Sequence, residues 1–112
     1  MIDKDLMAAS SRPLVLSILA QGESYGYALI QRVRELSGGQ VQWSDGMLYP
    51  VLHRLEKEGL IESSWRASET GRRRKYYWIC KTGQTELVRQ RRQWLAIQNT
   101  LKALWETELC PS

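Results

Sequence analysis

Ser44-Asp45-Gly46-Met47-Leu48-Tyr49-Pro50-Val51-Leu52-His53-Arg54-Leu55-Glu56-Lys57-Glu58-Gly59-Leu60-Ile61 reads as one short helix with both ends marked. Ser44 or Asp45 supplies the N-cap. Gly59 stands where a helix leaves through a left-handed residue. Leu48, Leu52 and Leu55 fall at i, i+4 and i+7, so one face is buried. Tyr49, Pro50, His53 and Lys57 fall on other faces. Two alternating stretches follow, Leu60 to Arg66 and Lys75 to Cys80, around a loop holding Gly71-Arg72-Arg73-Arg74-Lys75. They read as two strands of a hairpin. Tyr77 and Ile79 share one face of the second strand, Tyr76 and Trp78 the other. A capped helix that runs straight into a hairpin with a cationic loop has the layout of a winged helix-turn-helix. Such a helix can enter a DNA major groove while the wing's cations lie on phosphates or in the minor groove.

Upstream, residues 3 to 9 read as a short helix with Leu6 and Met7 apolar. Pro13 fits the first turn of a second helix, where its missing N–H costs little. Leu14, Val15, Ile18 and Leu19 give that helix a buried face, and Gln21-Gly22-Glu23 ends it. Ser24 reads as the N-cap of the next, which carries Tyr27, Ile30, Val33 and Leu36 at helical spacing. Ser37-Gly38-Gly39 stops it. The expected fold is mostly α with a small β hairpin, an α+β chain. Residues 1–81 form the winged helix-turn-helix with its N-terminal helix, and residues 82–112 a C-terminal dimerisation helix.

That last helix opens at Thr82 and runs to about Leu109, roughly 40 Å at 1.5 Å per residue. Leu87, Trp94 and Leu101 recur every seven residues, as do Ile97 and Leu104. No further element remains to cover this stripe. It either folds back on its own domain or meets a partner helix, most simply from a second copy. The expected homodimer interface comprises Leu6, Leu87, Trp94, Ile97, Leu101, Leu104 and Trp105.

A chain of 112 residues suggests one domain with a small core. The placement of its net charge of +4 matters more than the size. From Trp65 to Trp78, Arg66, Arg72, Arg73, Arg74 and Lys75 face Glu69 alone, a local excess equal to that of the whole chain. A focused patch suits a polyanion. Cys80 and Cys110 form no CxxC pair and read as reduced thiols in a cytoplasm. Met1-Ile2-Asp3-Lys4-Asp5 lacks the charged-then-apolar pattern of a signal peptide. The longest apolar run, Pro13 to Ala20, is far too short to span a membrane.

The sequence resembles the PadR family of bacterial transcriptional regulators over nearly its whole length. The resemblance is carried by Pro13-Leu14-Val15-Leu16-Ser17-Ile18-Leu19, by Ser24-Tyr25-Gly26-Tyr27-Ala28-Leu29-Ile30, and by Met47 to Ile61 with its Leu48-Tyr49-Pro50. Gly71-Arg72-Arg73-Arg74-Lys75-Tyr76-Tyr77 and Lys81-Thr82-Gly83 complete it. The single C-terminal helix looks like the small subfamily, which includes multidrug-sensing repressors. The resemblance implies a homodimer whose C-terminal helices pack on the partner's N-terminal and C-terminal helices. It implies repression at a palindromic operator, relieved by a small ligand in many members. In the multidrug-sensing members a Trp on the last helix lines a pore at the dimer interface and stacks on flat aromatic ligands. Counting from Thr82-Gly83, Trp94 falls at the matching place. Arg91 and Arg92 depart from the apolar lining expected there; they are either surface charge or a preference for an acidic aromatic effector.

The expected DNA-binding residues are Ser44, Met47, Tyr49, Pro50, His53, Arg54 and Lys57 on the helix, and Arg72, Arg73, Arg74 and Lys75 on the wing. Each has a plainer alternative. Ser44 and Asp45 can simply cap. Tyr49 can pack its ring on the domain rather than place its hydroxyl on a phosphate. The wing cations can be a solvated loop, and Trp94 and Trp105 can be interface core. His53 is the only histidine, so it supplies neither a metal site nor a catalytic set. With no cofactor motif and no nucleophile–base pair, enzyme chemistry is not expected. A rival reading keeps the winged helix as a protein–protein adaptor without ligand sensing.

Overall fold

The structure is a computed structural model describing residues 2–109. Its elements run α1 (Lys4–Ala20), β1 (Ser24–Tyr25), α2 (Gly26–Leu36), α3 (Asp45–Lys57), β2 (Ile61–Ala67), β3 (Arg73–Ile79) and α4 (Lys81–Leu109). Four helices surround a small antiparallel sheet of order β1-β3-β2, an α+β architecture. Cys110 lies outside the described residues. Cys80 is a free, half-buried thiol whose pKa is pushed up by burial and by its hydrogen bond to Glu62. Among the described residues no helix is long and apolar enough to cross a membrane.

One helix stands where two were expected. Asp3 caps α1, its Oδ1 accepting the Leu6 N–H at 3.0 Å. Pro13 lies inside α1 instead of opening a second helix. Proline there removes the one N–H that would reach the Ala9 carbonyl. The helix continues because Met7 on one side, and Val15, Leu16, Ile18 and Leu19 on the other, are held in the same core. The buried Ser11 hydroxyl donates to the Met7 carbonyl at 2.7 Å, so it adds no unsatisfied group.

Ser24 does not cap α2. Ser24 and Tyr25 form a third strand on the free edge of β3, paired Ser24↔Tyr77 and Tyr25↔Tyr76. Tyr25 takes the N-cap position without a side-chain bond. Backbone groups along that edge would otherwise lack partners, so two residues of pairing prevail over the capping preference of serine. In α2, Leu29 and Val33 are buried and Ile30 is half-buried against them, whereas Tyr27 and Leu36 face out.

Ser44 caps α3, its Oγ accepting the Met47 N–H at 3.3 Å. Leu48, Leu52 and Leu55 are fully buried. Each such side chain contributes about 1.5–3 kcal/mol of transfer free energy. Gly59 leaves the helix at φ +76°, and the Leu60 N–H closes on the Leu55 carbonyl at 3.0 Å. The hairpin then pairs from Ile61↔Ile79 to Ala67↔Arg73. Its tip is tight: the Ser68 N–H donates to the Arg72 carbonyl at 2.7 Å, and the Gly71 N–H to the Ser68 carbonyl at 2.9 Å.

The first two turns of α4 dock on the same core. The Thr82 hydroxyl donates to the Gly59 carbonyl at 2.6 Å. At Gly83 a Cβ would collide with the Leu60 carbonyl oxygen and lie 2.7 Å from Ile79 Cγ1, so no side chain fits. Leu87 and Gln90 are buried one and two turns on. From Arg91 to Thr107 every residue is exposed. At about 100° per residue, Trp94, Ile97, Leu101 and Trp105 continue the face that holds Gly83, Leu87 and Gln90, with Leu104 at its edge. The stripe is continuous. Its first part is covered by the chain itself and its second part by nothing among the described residues. Leu87, expected in the dimer interface, is 7% exposed and belongs to the chain's own core. The projecting half of α4 stretches the molecule to 64 × 29 × 21 Å.

Candidate nucleic-acid interface

The burial of Leu48, Leu52 and Leu55 fixes which way the rest of α3 points. Tyr49, His53, Lys57, Pro50 and Arg54 span an arc of about 140° on the opposite side, and all five are exposed. Ser44 is exposed at the helix start. Met47 borders this face, about 20° round the helix from Arg54, and packs half-buried against the core.

Between α3, the start of α2 and the wing lies a cleft of about 640 Å³. Tyr49 and His53 enter it from α3, Tyr25 from β1, Gly26 and Tyr27 from α2, and Trp65, Arg72, Arg73, Arg74, Lys75 and Tyr77 from the hairpin. Strand alternation puts Trp65, Arg73, Lys75 and Tyr77 on the hairpin's inner face. A Cβ at Gly26 would collide with the Tyr49 hydroxyl and lie 3.0 Å from its Cζ. The Tyr49 hydroxyl therefore sits over the first residue of α2. Unsatisfied N–H groups and the positive end of the helix dipole favour an anion there.

The wing's four expected cations divide into two pairs. The Arg74 guanidinium lies 4.3 Å from the centroid of the Tyr25 ring. Lys75 Nζ lies 3.9 Å from a Glu56 carboxylate oxygen and 5.6 Å from the Tyr77 centroid. Both side chains are half-buried. Arg72 and Arg73 are exposed and make no ion pair among the described residues. Arg66, the fifth cation of the hairpin, is bound to Glu23 at 2.8 Å and lies over the Tyr76 ring at 4.3 Å.

Tyr27, read from the sequence only as part of the α2 stripe, and Trp65 and Glu56 are not among the expected site residues. Tyr27 is 66% and Trp65 57% exposed at the cleft. Alternation from the buried Ile61 would have placed Trp65 on the helix-facing side. Glu56 braces the hairpin, accepting the Ser63 hydroxyl at 2.7 Å as well as pairing with Lys75.

Tyr77 closes the floor of the cleft. Its residue is 1% exposed, and its hydroxyl has no hydrogen-bond partner among the described residues. Burial pushes its pKa up to about 12 from 10.0, with Tyr49 and Glu56 adding to the shift. The fold prefers the neutral phenol, so this contribution to stability is whole below pH 10 and is lost as pH rises through about 12. Tyr77→Phe is expected to match or slightly exceed wild-type stability at pH 7, because the hydroxyl it removes is unpaired. Above pH 10 the variant should gain on wild type, by on the order of 2 kcal/mol at pH 12. Urea denaturation at pH 7, 10 and 11.5 measures this; parallel loss in both proteins would place alkaline sensitivity elsewhere.

On α4, Trp94 borders a second, apolar hollow of about 370 Å³ with Ile2, Leu6, Leu14 and Val41. Arg91 lies about 60° round the helix from Trp94 and flanks it, whereas Arg92 lies about 160° away on the far side.

The family profile of the transcriptional regulator PadR-like family matches residues 15–89. Transcriptional regulator Rv3488 of Mycobacterium tuberculosis is 37% identical over 89 residues, covering 80% of this chain and 79% of that protein. A transcriptional regulator from Clostridium thermocellum superposes with a TM-score of 0.82 at 28% identity, over 92% of this chain and 97% of its own. A PadR-like transcriptional regulator from Bacillus cereus gives 0.80 at 32% identity, over 91% and 97%. The matched span runs from the core of α1 through the cleft to the docked turns of α4. The chain belongs to the PadR-like family of transcriptional regulators, and it is a regulator rather than an enzyme.

Proposed function

We propose that this protein is a homodimeric repressor that binds an inverted-repeat operator in duplex DNA. The cleft carries the reading: an exposed helix face beside two free arginines and a helix N-terminus is suited to a groove edge lined with phosphates. The outer face of α3 reads bases, while Tyr49, Arg72 and Arg73 hold the backbone. The uncovered half of the α4 stripe, from Trp94 to Trp105, makes the dimer. Leu6, at the rim of the hollow beside Trp94, extends this surface onto α1. The protein works in the cytoplasm, where its DNA is.

A planar aromatic effector, stacked on Trp94 and favoured by Arg91 when acidic, releases the operator. It does so only if it prefers a dimer geometry that does not fit DNA. The test is selection of bound fragments from the source genome, followed by footprinting. Two protected half-sites in inverted orientation, about 34 Å apart, are expected. A single half-site protected by one copy would sink the dimeric reading.

A further inference from the structure

The hairpin brings two like charges face to face. Arg66 and Arg74 are cross-strand partners, and alternation puts both on the outer face of the hairpin, with Arg74 also at the rim of the cleft. Directly opposed cations destabilise a strand pair. Here they are separated by a ladder of rings. Arg74 lies over Tyr25 at 4.3 Å, and Arg66 over Tyr76 at 4.3 Å. The two rings meet edge to face, 5.6 Å between centroids and 73° between planes. Glu23 completes the row at 2.8 Å from Arg66. Glu23 and Tyr25 belong to the segment that leads into α2, whereas Arg66, Arg74 and Tyr76 belong to the wing.

From this arrangement we infer that Tyr25 is a positioning residue for DNA binding: its ring ladder locks the wing onto the start of α2 and pins Arg74 on the Tyr25 ring. The lock has a counterpart on the inner face. Glu56 of α3 holds Ser63 of β2 and Lys75 of β3. The hairpin is thus gripped from both sides, by α3 below and by the α2 entry above. Backbone pairing in β1 amounts to two residues, Ser24 and Tyr25. Pairing that short is weak alone, so the rings and guanidinium groups carry the hold. The distance from Arg72 and Arg73 to the α3 face is then fixed before DNA arrives, and binding need not order the wing.

This inference rests on the DNA-binding reading, and two readouts keep them apart. The variants are Tyr25→Leu, which removes the ring, and Tyr25→Phe, which keeps it and removes only the hydroxyl. Thermal melting verifies that both are folded. Hydrogen exchange of the amides from 67 to 73 reads the lock without DNA. Salt-dependent binding to a random duplex reads its consequence. Tyr25→Leu should speed exchange at the wing tip at least tenfold and weaken duplex binding about tenfold, with the salt slope unchanged because Arg72 and Arg73 still reach their phosphates. Tyr25→Phe should behave as wild type in both. Wild-type exchange and affinity in Tyr25→Leu would overturn the inference. So would a Tyr25→Phe as impaired as Tyr25→Leu, since the hydroxyl would then be a direct contact. If wild type ignores duplex DNA, the functional reading fails, and exchange alone decides the lock.

Discussion

Replacing Arg72 and Arg73 together with Ala will weaken binding to every duplex sequence alike and lower the salt slope by about two. Each phosphate contact releases close to one condensed counterion, so two lost contacts give that slope change. The drop in affinity at low salt should be on the order of tenfold to a hundredfold. Sequence preference, which we assign to the exposed face of α3, should survive. The sequence alone singles out Arg73 and Arg74 within the run of four cations; the exposure of the side chains favours Arg72 and Arg73 instead. Arg74 is stacked on Tyr25 and Lys75 is held by Glu56, whereas Arg72 and Arg73 are exposed and unpaired among the described residues. Titrations of one specific and one random duplex at several salt concentrations measure both quantities. An unchanged slope in the double variant would remove the wing tip from the interface.

Leu101→Glu will separate the protomers of the proposed dimer without unfolding them. Leu101 is 39% exposed in the single chain and lies about three turns beyond Gln90, where α4 leaves its own core. The winged domain therefore loses no contact when this residue changes. In a dimer sealed by the α4 stripe, the same change would bury a carboxylate without a partner. A penalty of about 3 kcal/mol or more weakens self-association at least a hundredfold. Sedimentation should give a monomer, while circular dichroism and the melting midpoint stay near wild type. Operator affinity should fall with dimerisation, while weak binding to random duplex persists. A folded dimer with wild-type affinity would take the stripe out of the interface.

What was legible in the sequence was mostly local. Leu48, Leu52 and Leu55 with the Ser44 cap gave α3 its ends and its buried side, and the alternation around Tyr77 gave the hairpin. Ser24-Tyr25 was illegible as a strand because two residues show no alternation; its existence depends on the edge of β3, fifty residues away. Pro13 misled because a local rule for helix starts was outweighed by core residues on both sides of it. Leu87 and Trp94 share one heptad stripe, and periodicity cannot say where the covered part stops. The division of the wing cations was equally hidden. Arg73 and Arg74 are neighbours in a uniform basic run, and only the tertiary position of Tyr25 makes them different.

Because α4 passes without a break from its docked turns at Gly83 to the open stripe, it is a stiff lever rather than a tether. Twenty-nine residues span roughly 43 Å. In the dimer we propose, a change of about 5° in the angle at which two such levers cross would displace the proposed reading head at the far end by roughly 3–4 Å. That is about one base-pair step, enough to put a second half-site out of register.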